Sequence, residues 1–328
     1  MLSIGLIGAG RIGTLHGRNV AIHPGARLAA IADAVPAAAE TLGRELGAPV
    51  RSVDDILGDK SIQALMICSS TDTHSDLIEA GARAGKAIFC EKPVDLSADR
   101  IRACLEVVVK AGTPLMIGFN RRFDPHFGVL QQRLRAGEIG AIEIVTILSR
   151  DPGPPPLAYI ARSGGLFRDM MIHDLDMARF LLGEEPVEVH AVGSSLVDPK
   201  IGEAGDVDTA AVLLKTAAGR ICQISCSRRA TYGYDQRIEV HGSKGMIRAH
   251  NLTENLVEIA SGEGFRGAPV MNFFLERYTP AYRRELDAFL DCVASGKAPS
   301  PSGEDGLKAQ LLADAATESA RTGKAQKL

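Results

Sequence analysis

Asp169, His173 and Asp176 fall at i, i+4 and i+7 in the segment Gly164-Gly165-Leu166-Phe167-Arg168-Asp169-Met170-Met171-Ile172-His173-Asp174-Leu175-Asp176. On one helix that spacing sets three ionisable side chains in a single stripe. Their neighbours Met170, Met171, Ile172, Leu175 and Met177 are apolar. Ionisable groups buried in such company without partners are costly, so the stripe predicts a polar cavity or a place of chemistry. A histidine held near carboxylates is suited to general-base work. An ordinary imidazole titrates near pH ~6.5, so a modest shift prepares it to accept a proton at neutral to alkaline pH.

A second set of residues opens the chain. Residues 3–7 form a strand pattern that runs into Gly8-Ala9-Gly10-Arg11-Ile12-Gly13 and then a helical pattern, the strand–turn–helix context that a GxGxxG dinucleotide fingerprint needs. Gly8 permits the tight turn, Gly10 admits a pyrophosphate close to the backbone, and Gly13 lets helix and sheet pack tightly. Asp33 closes the second strand pattern, twenty residues beyond Gly13, where an acidic group bonds the adenosine ribose hydroxyls. Its charge repels a 2′-phosphate and Ala34 offers no compensation, so the expected cofactor is NAD rather than NADP. Glu91-Lys92-Pro93 follows the strand pattern at 86–90, at the strand end where ligands bind in such sheets. By position alone Lys92 fits that cleft or an ordinary surface ion pair. Ser70, Thr71 and His74 follow the fourth run in the same way; His74 alternatively begins the next helix without touching ligand.

These residues need elements to carry them. Short apolar runs alternate with helical patterns as strand 3–7, helix 11–22, strand 27–33, helix 36–46, strand 63–68, helix 73–84, strand 86–90, helix 97–111 and strand 114–118. That alternation predicts a parallel, doubly wound sheet of the α/β class. Beyond Gly118 come a helix near 122–136, a β run at 141–149, the proline-rich loop Asp151-Pro152-Gly153-Pro154-Pro155-Pro156 and one helix over roughly 167–182. Six β-rich runs with glycine turns follow (187–197, 207–216, 219–228, 235–241, 245–250, 255–260), predicting an open, mostly antiparallel sheet. Helices near 279–295 and 303–321 close the chain, with the last residues expected to fray. The expected division is a dinucleotide-binding domain over 1–118 and an α+β substrate and oligomerisation domain over 119–328.

Taken together, the glycine-rich turn, the Glu91-Lys92-Pro93 triplet and the Gly-Gly-x-Phe-x-Asp-x-x-x-His segment resemble the glucose–fructose oxidoreductase / inositol dehydrogenase / rhizopine-catabolism family over essentially the whole chain. Within it the resemblance is nearest to inositol 2-dehydrogenases, through Ser70-Thr71-Asp72-Thr73-His74, the run Gly118 to Asp124, Ser149-Arg150-Asp151-Pro152, Phe167 to Arg179, and Ala230-Thr231-Tyr232-Gly233-Tyr234-Asp235. The resemblance implies a catalytic trio of Lys92, Asp169 and His173. His173 accepts the hydroxyl proton as hydride leaves for NAD, Lys92 hydrogen-bonds the same oxygen, and Asp169 holds both in register. It also implies cofactor contacts from Gly8 to Gly13, Asp33, Ser70, Thr71, His74, Glu91 and Lys92, and substrate contacts from Lys92, Arg122, Asp151, Asp169, His173, Asp176 and Tyr234. Alternatives stay open: a solvated ion pair for Arg121 or Arg122, sheet packing for Tyr234, and a helix charge or salt-bridge partner for Asp174. Inositol dehydrogenases often carry His and Asn near positions 149 and 151, where this chain has Ser149 and Asp151. Other cyclitols or hexopyranoses, and a non-catalytic NAD- or sugar-sensing regulator, are the competing readings.

Composition bounds the partners. The 328 residues are 45% apolar, enough for about two ordinary domains, and carry a formal net charge of -3 with scattered basic residues. No footprint for nucleic acid or anionic membrane is present, so a small ligand is expected, which the resemblance implies is a polyol. The N-terminus runs directly into a strand, and no apolar run approaches the roughly 18 residues of a membrane span. Six cysteines without a CxxC pair read as packing residues of a cytoplasmic enzyme, with no metal site expected. An open sheet needs its second face covered, and the resemblance implies a homodimer or homotetramer packed through it.

Overall fold

The computed structural model describes residues 1–328, which divide into two compact units. Unit 1 comprises Met1–Phe123 and Ala281–Gln310; unit 2 comprises Asp124–Pro280 and Leu311–Leu328. The expected boundary at 118 therefore falls within a short 3-10 turn's reach of the observed one, but the return of 281–310 to unit 1 departs from it. The reason is visible in the packing. Leu286 and Phe289, on the buried face of the helix Thr279–Ser295, complete the same core as Ile4, Leu6, Ile31, Met66 and Phe89.

Unit 1 holds five parallel strands, β1 (Leu2–Ile7), β2 (Ala26–Ala32), β3 (Ala64–Ile67), β4 (Ala87–Glu91) and β5 (Leu115–Gly118), in the order β2-β1-β3-β4-β5. Helices cover both faces of such a sheet, which is why β3, β4 and β5 are buried at every position. Strand order reverses between β1 and β3, and ligands bind at that switch point in sheets of this kind. The connecting helices end where the sequence says they should: Ser97 caps the helix Ala98–Ala111 by accepting the Arg100 N–H at 3.3 Å, and Gly112 closes it in the left-handed conformation.

In unit 2, β6 (Ile142–Arg150), β7 (Pro186–Ser194), β8 (Thr209–Thr216), β9 (Ile221–Ser227), β10 (Asp235–Gly242) and β11 (Gly245–Ala249) enter one sheet, while β12 (Glu258–Ser261) and β13 (Gly264–Gly267) form a separate hairpin. A last short strand, β14 (Gln326–Lys327), pairs with β7, so the C-terminal residues are an edge strand and not a frayed tail. The sheet order is β11-β10-β6-β9-β8-β7-β14, antiparallel except between β6 and β9. One face buries Val145, Ile147, Val212, Leu214, Cys222 and Ile224 beneath the helix Ile172–Leu182. The other leaves Ile144, Val192, Leu213 and Ile221 exposed. No helix is long and apolar enough to cross a membrane.

Candidate active site

In unit 1 the predicted cofactor residues gather at the carboxyl ends of β1 to β4. Gly8 sits at φ +101°, and a Cβ there would stand 2.4 Å from the Cys68 carbonyl carbon, so only glycine permits β1 and β3 to end this close together. A Cβ on Gly13 would stand 1.9 Å from the Gly8 oxygen, which fixes the helix Arg11–Ile22 against the turn. Gly10 meets nothing within 4 Å, and no side chain caps that helix. Open space above an uncapped helix N-terminus fits a dinucleotide pyrophosphate. Asp33 reaches the same turn: its carboxylate accepts the Ala9 N–H at 2.6 Å and the Val35 N–H at 2.7 Å.

Around the other strand ends, Ser70 is exposed and Thr71 half-buried, both in a short 3-10 turn region after β3. His74 is 1% exposed, and its ring nitrogens face the Pro93 carbonyl at 2.7 Å and the Ser69 carbonyl at 3.1 Å. Its ring thus ties the loop after β3 to the loop after β4, the structural role that its position at a helix start allowed. Lys92 is half-buried immediately after β4, and its backbone N–H is donated to Glu91 Oε2 at 3.3 Å. Arg122 donates to Asp305 Oδ1 at 3.0 Å within the same unit, in a largely buried ion pair.

In unit 2 the stripe of the sequence is rearranged. The single helix expected over 167–182 is two, Leu166–Asp169 and Ile172–Leu182. The Leu166 carbonyl accepts both the Met170 N–H at 3.1 Å and the Met171 N–H at 2.9 Å, so one wide turn is inserted before the chain tightens again at Met171. Such wide turns re-aim side chains and recur at functional sites. Asp169 and His173 remain half-buried, whereas Asp174 and Asp176 are 0% and 1% exposed. Asp176 faces Arg179 Nη1 at 3.4 Å, a contact that sets one of its carboxylate oxygens. Asp174 packs toward Cys222 of β9, whose thiol is pushed up first by burial and then by that carboxylate.

Two groups that the sequence reading did not single out hold Asp169. The Tyr159 hydroxyl donates to Asp169 Oδ1 at 2.9 Å, and Arg228 Nη2 reaches Asp169 Oδ2 at 3.5 Å and Asp206 at 4.0 Å. Tyr159 lies on the unanticipated helix Leu157–Ser163, which directly follows the proline-rich loop 151–156. Arg228 is 1% exposed. The signal for it was present: Cys222, Ile224 and Cys226 alternate inward along β9, and Arg228 continues that phase. Asp206 Oδ1 also accepts the Leu166 N–H at 2.9 Å, and a Cβ on Gly165, at φ +86°, would stand 2.6 Å from that oxygen. The glycine pair of the motif therefore exists to bring Asp206 against the start of the broken helix.

The remaining candidates stand nearby in sequence but differ in exposure. Asp151 is half-buried past β6, its N–H bonded to the Ser227 carbonyl at 3.0 Å. Ser149 is fully buried and accepts from Gln236 Nε2 at 3.1 Å. Tyr234 is 4% exposed, its ring edge-on to Tyr278 at 6.0 Å. All six cysteines are buried thiols, and burial pushes those of Cys68 and Cys90 well up, which suits packing.

Residues 2–119 match the oxidoreductase family model with an NAD-binding Rossmann fold, and residues 127–248 match the GFO/IDH/MocA C-terminal domain. The chain belongs to the GFO/IDH/MocA oxidoreductase family. Among GFO/IDH/MocA relatives, inositol 2-dehydrogenase of Rhizobium meliloti is 56% identical over 96% of both chains. Myo-inositol 2-dehydrogenase of Thermotoga maritima is 47% identical over 100% of this chain and 98% of its own. A crystal structure of scyllo-inositol dehydrogenase from Lactobacillus casei, with bound NAD(H) and scyllo-inositol, superposes at a TM-score of 0.92 with 31% identity, covering 100% and 99% of the two chains. The glycine-rich turn lies within the residues that match the NAD-binding Rossmann model.

Proposed function

We propose that this chain is an NAD-dependent inositol 2-dehydrogenase that oxidises a ring hydroxyl of myo-inositol to the ketone, 2-keto-myo-inositol (scyllo-inosose). The observation that carries the reading is the pair Asp169 and His173, half-buried on a broken helix with Asp169 gripped by Tyr159 and Arg228, in a chain 56% identical to an inositol 2-dehydrogenase. NAD, when bound, supplies the C4 acceptor for the hydride. His173 takes the hydroxyl proton as the C–H bond breaks and the carbonyl forms, and Asp169 orients that imidazole. Lys92 donates to the reacting oxygen and stabilises its developing negative charge. Contacts to NAD are proposed for Gly8 to Gly13, Asp33, Ser70, Thr71, His74 and Glu91, and contacts to the polyol for Arg122, Asp151, Asp176 and Tyr234.

A cyclitol offers only hydroxyls, so selection rests on matched polar partners, each unmatched buried group costing about 1–3 kcal/mol. Ser149 and Asp151 support a second reading, in which scyllo-inositol, D-chiro-inositol or a hexopyranose is preferred; initial rates of NADH formation across a panel of these polyols decide between the two. Substitution of His173→Ala or Lys92→Ala abolishes NADH formation from myo-inositol while NAD still binds. Wild-type turnover in either variant removes the assignment. The exposed apolar positions Ile144, Val192, Leu213 and Ile221 support a homodimer or homotetramer packed through the open sheet. Six buried thiols support a cytoplasmic setting.

A further inference from the structure

A second cluster of ionisable groups lies inside unit 1, built around Glu91 by two residues, His16 and Glu285, that have no part in the roles assigned so far. His16, on the helix Arg11–Ile22, Glu91, the last residue of β4, and Glu285, on the helix Thr279–Ser295, bring a nitrogen and two carboxylate oxygens within 4.8 Å of one another. All three residues are buried, at 1%, 8% and 0% exposure. His16 Nε2 and Glu91 Oε1 are 2.8 Å apart, and the ring is wedged edge-on between Phe89 and Tyr282 at 5.1 and 5.5 Å. Glu91 Oε2 accepts the Lys92 N–H. Opposite Glu91 in the sheet register stands Gly118, where a Cβ would press to 3.0 Å of the Glu91 carboxylate, so β5 leaves room for that group. Both oxygens of Glu285 lack a hydrogen-bonding donor.

A dry carboxyl with no donor, facing a second carboxylate, needs either a cation or a proton. Two ligands held at about 2.0–2.1 Å on a tetrahedral ion stand roughly 3.3 Å apart, and 2.8 Å between His16 Nε2 and Glu91 Oε1 is a hydrogen bond instead. The geometry favours the proton. We propose that Glu285, together with His16, is a positioning residue for Lys92: it carries a proton toward Glu91, and the Glu91 carboxylate so held fixes the Lys92 backbone at the end of β4. Burial, and then the Glu91 charge, push the Glu285 carboxyl well above the ordinary carboxylate range. The other titratable groups beside the cluster are Tyr282, whose ring lies against His16, and the Cys68 and Cys90 thiols, both pushed up by burial so that neither thiol competes as a charged partner at neutral pH.

The inference rests on the reading that Lys92 serves hydride transfer, and its test has an arm that does not. Infrared difference spectroscopy of the full enzyme between wild type and Glu285→Gln reads the protonated-carboxyl C=O stretch directly. The wild type shows the band and the variant loses it; no such band in the wild type overturns the proposal. In kinetics, Glu285→Gln, which keeps a donor toward Glu91, stays within about threefold of wild-type kcat, whereas Glu285→Leu lowers kcat about tenfold or more with NAD affinity changed less than about twofold. Equal turnover of the Leu variant and wild type, or a Gln variant as impaired as Leu, overturns it, as does a stoichiometric metal ion found in the purified enzyme. Should Glu285→Leu not fold, the infrared band and the Gln variant decide. Undiminished activity of Lys92→Ala would instead sink the catalytic reading and leave the buried proton standing.

Discussion

Asp169 carries no chemistry by itself; what prepares it is the pair of groups that fix its two oxygens. The Tyr159 hydroxyl takes one and the buried Arg228 guanidinium approaches the other, so the carboxylate has a set direction before substrate arrives. Preorganisation of that kind is lost when the donor goes. Arg228→Leu is expected to lower kcat/KM for myo-inositol by about tenfold or more, chiefly in kcat, with Arg228→Lys intermediate because lysine keeps a positive charge beside Asp169 and Asp206 but not the fixed plane of guanidinium donors. Steady-state kinetics of both variants check this, and an Arg228→Leu enzyme with unchanged kcat would speak against it. At this scale the sequence was generous about residue types and poor about partners. Asp169 and His173 stood out because charge interrupted an apolar helix, but Tyr159 and Arg228 come from a short unanticipated helix and a strand end, and only tertiary packing joins them.

Helix ends and turns decide where those side chains point. The strand–turn–helix at Gly8 to Gly13 was legible because sterics leave few ways to end β1 against β3: a Cβ on Gly8 or Gly13 would meet backbone, and Gly10 leaves open space at the helix N-terminus. The wide turn at Met170–Met171 was not legible, since local propensity does not distinguish a continuous helix from one with an extra residue in a turn. Past that turn Asp176 is buried beside Arg179, while Asp169 and His173 are half-buried. Asp124 is an element-scale device of a related kind. It caps the helix Pro125–Arg135 by accepting the His126 and Phe127 N–H groups at 2.9 and 3.0 Å, and its other oxygen binds the buried Arg277. Asp124→Ala removes the cap and strands a buried guanidinium, so a loss of about 3–5 kcal/mol is expected. Denaturant unfolding measures it, and a loss under about 1 kcal/mol would contradict this account of the pair.

For the whole molecule, alternating strands and helices foretold the parallel sheet, and successive β runs foretold the open one, because the two hydrophobic periods differ. The return of the helix Thr279–Ser295 to unit 1 was hidden, as its apolar face fits either core equally well on paper. Stability against pH carries two opposite contributions. Asp208 is buried, which alone would raise its carboxyl, yet the Leu196, Val197 and Asp198 N–H groups and the Thr209 hydroxyl bring it below the ordinary range. A depressed folded pKa gives stability that is present above the ordinary Asp value and lost as pH falls through the folded one. Glu285 has the reverse sign: its contribution is present below the ordinary Glu value and lost as pH rises. Melting temperatures across pH should therefore show Asp208→Asn weakening the fold most at neutral pH, and converging on wild type in acid; a constant difference at every pH contradicts the linkage. Light scattering after size exclusion reads the assembly, where a dimer or tetramer is expected and a monomer would leave the apolar sheet face unexplained. The most direct test of the central claim is NADH absorbance when the purified protein meets myo-inositol and NAD, run beside His173→Ala. NADH formation by the wild type and none by the variant is the expected result; no NADH from the wild type, or equal rates in both, contradicts the account.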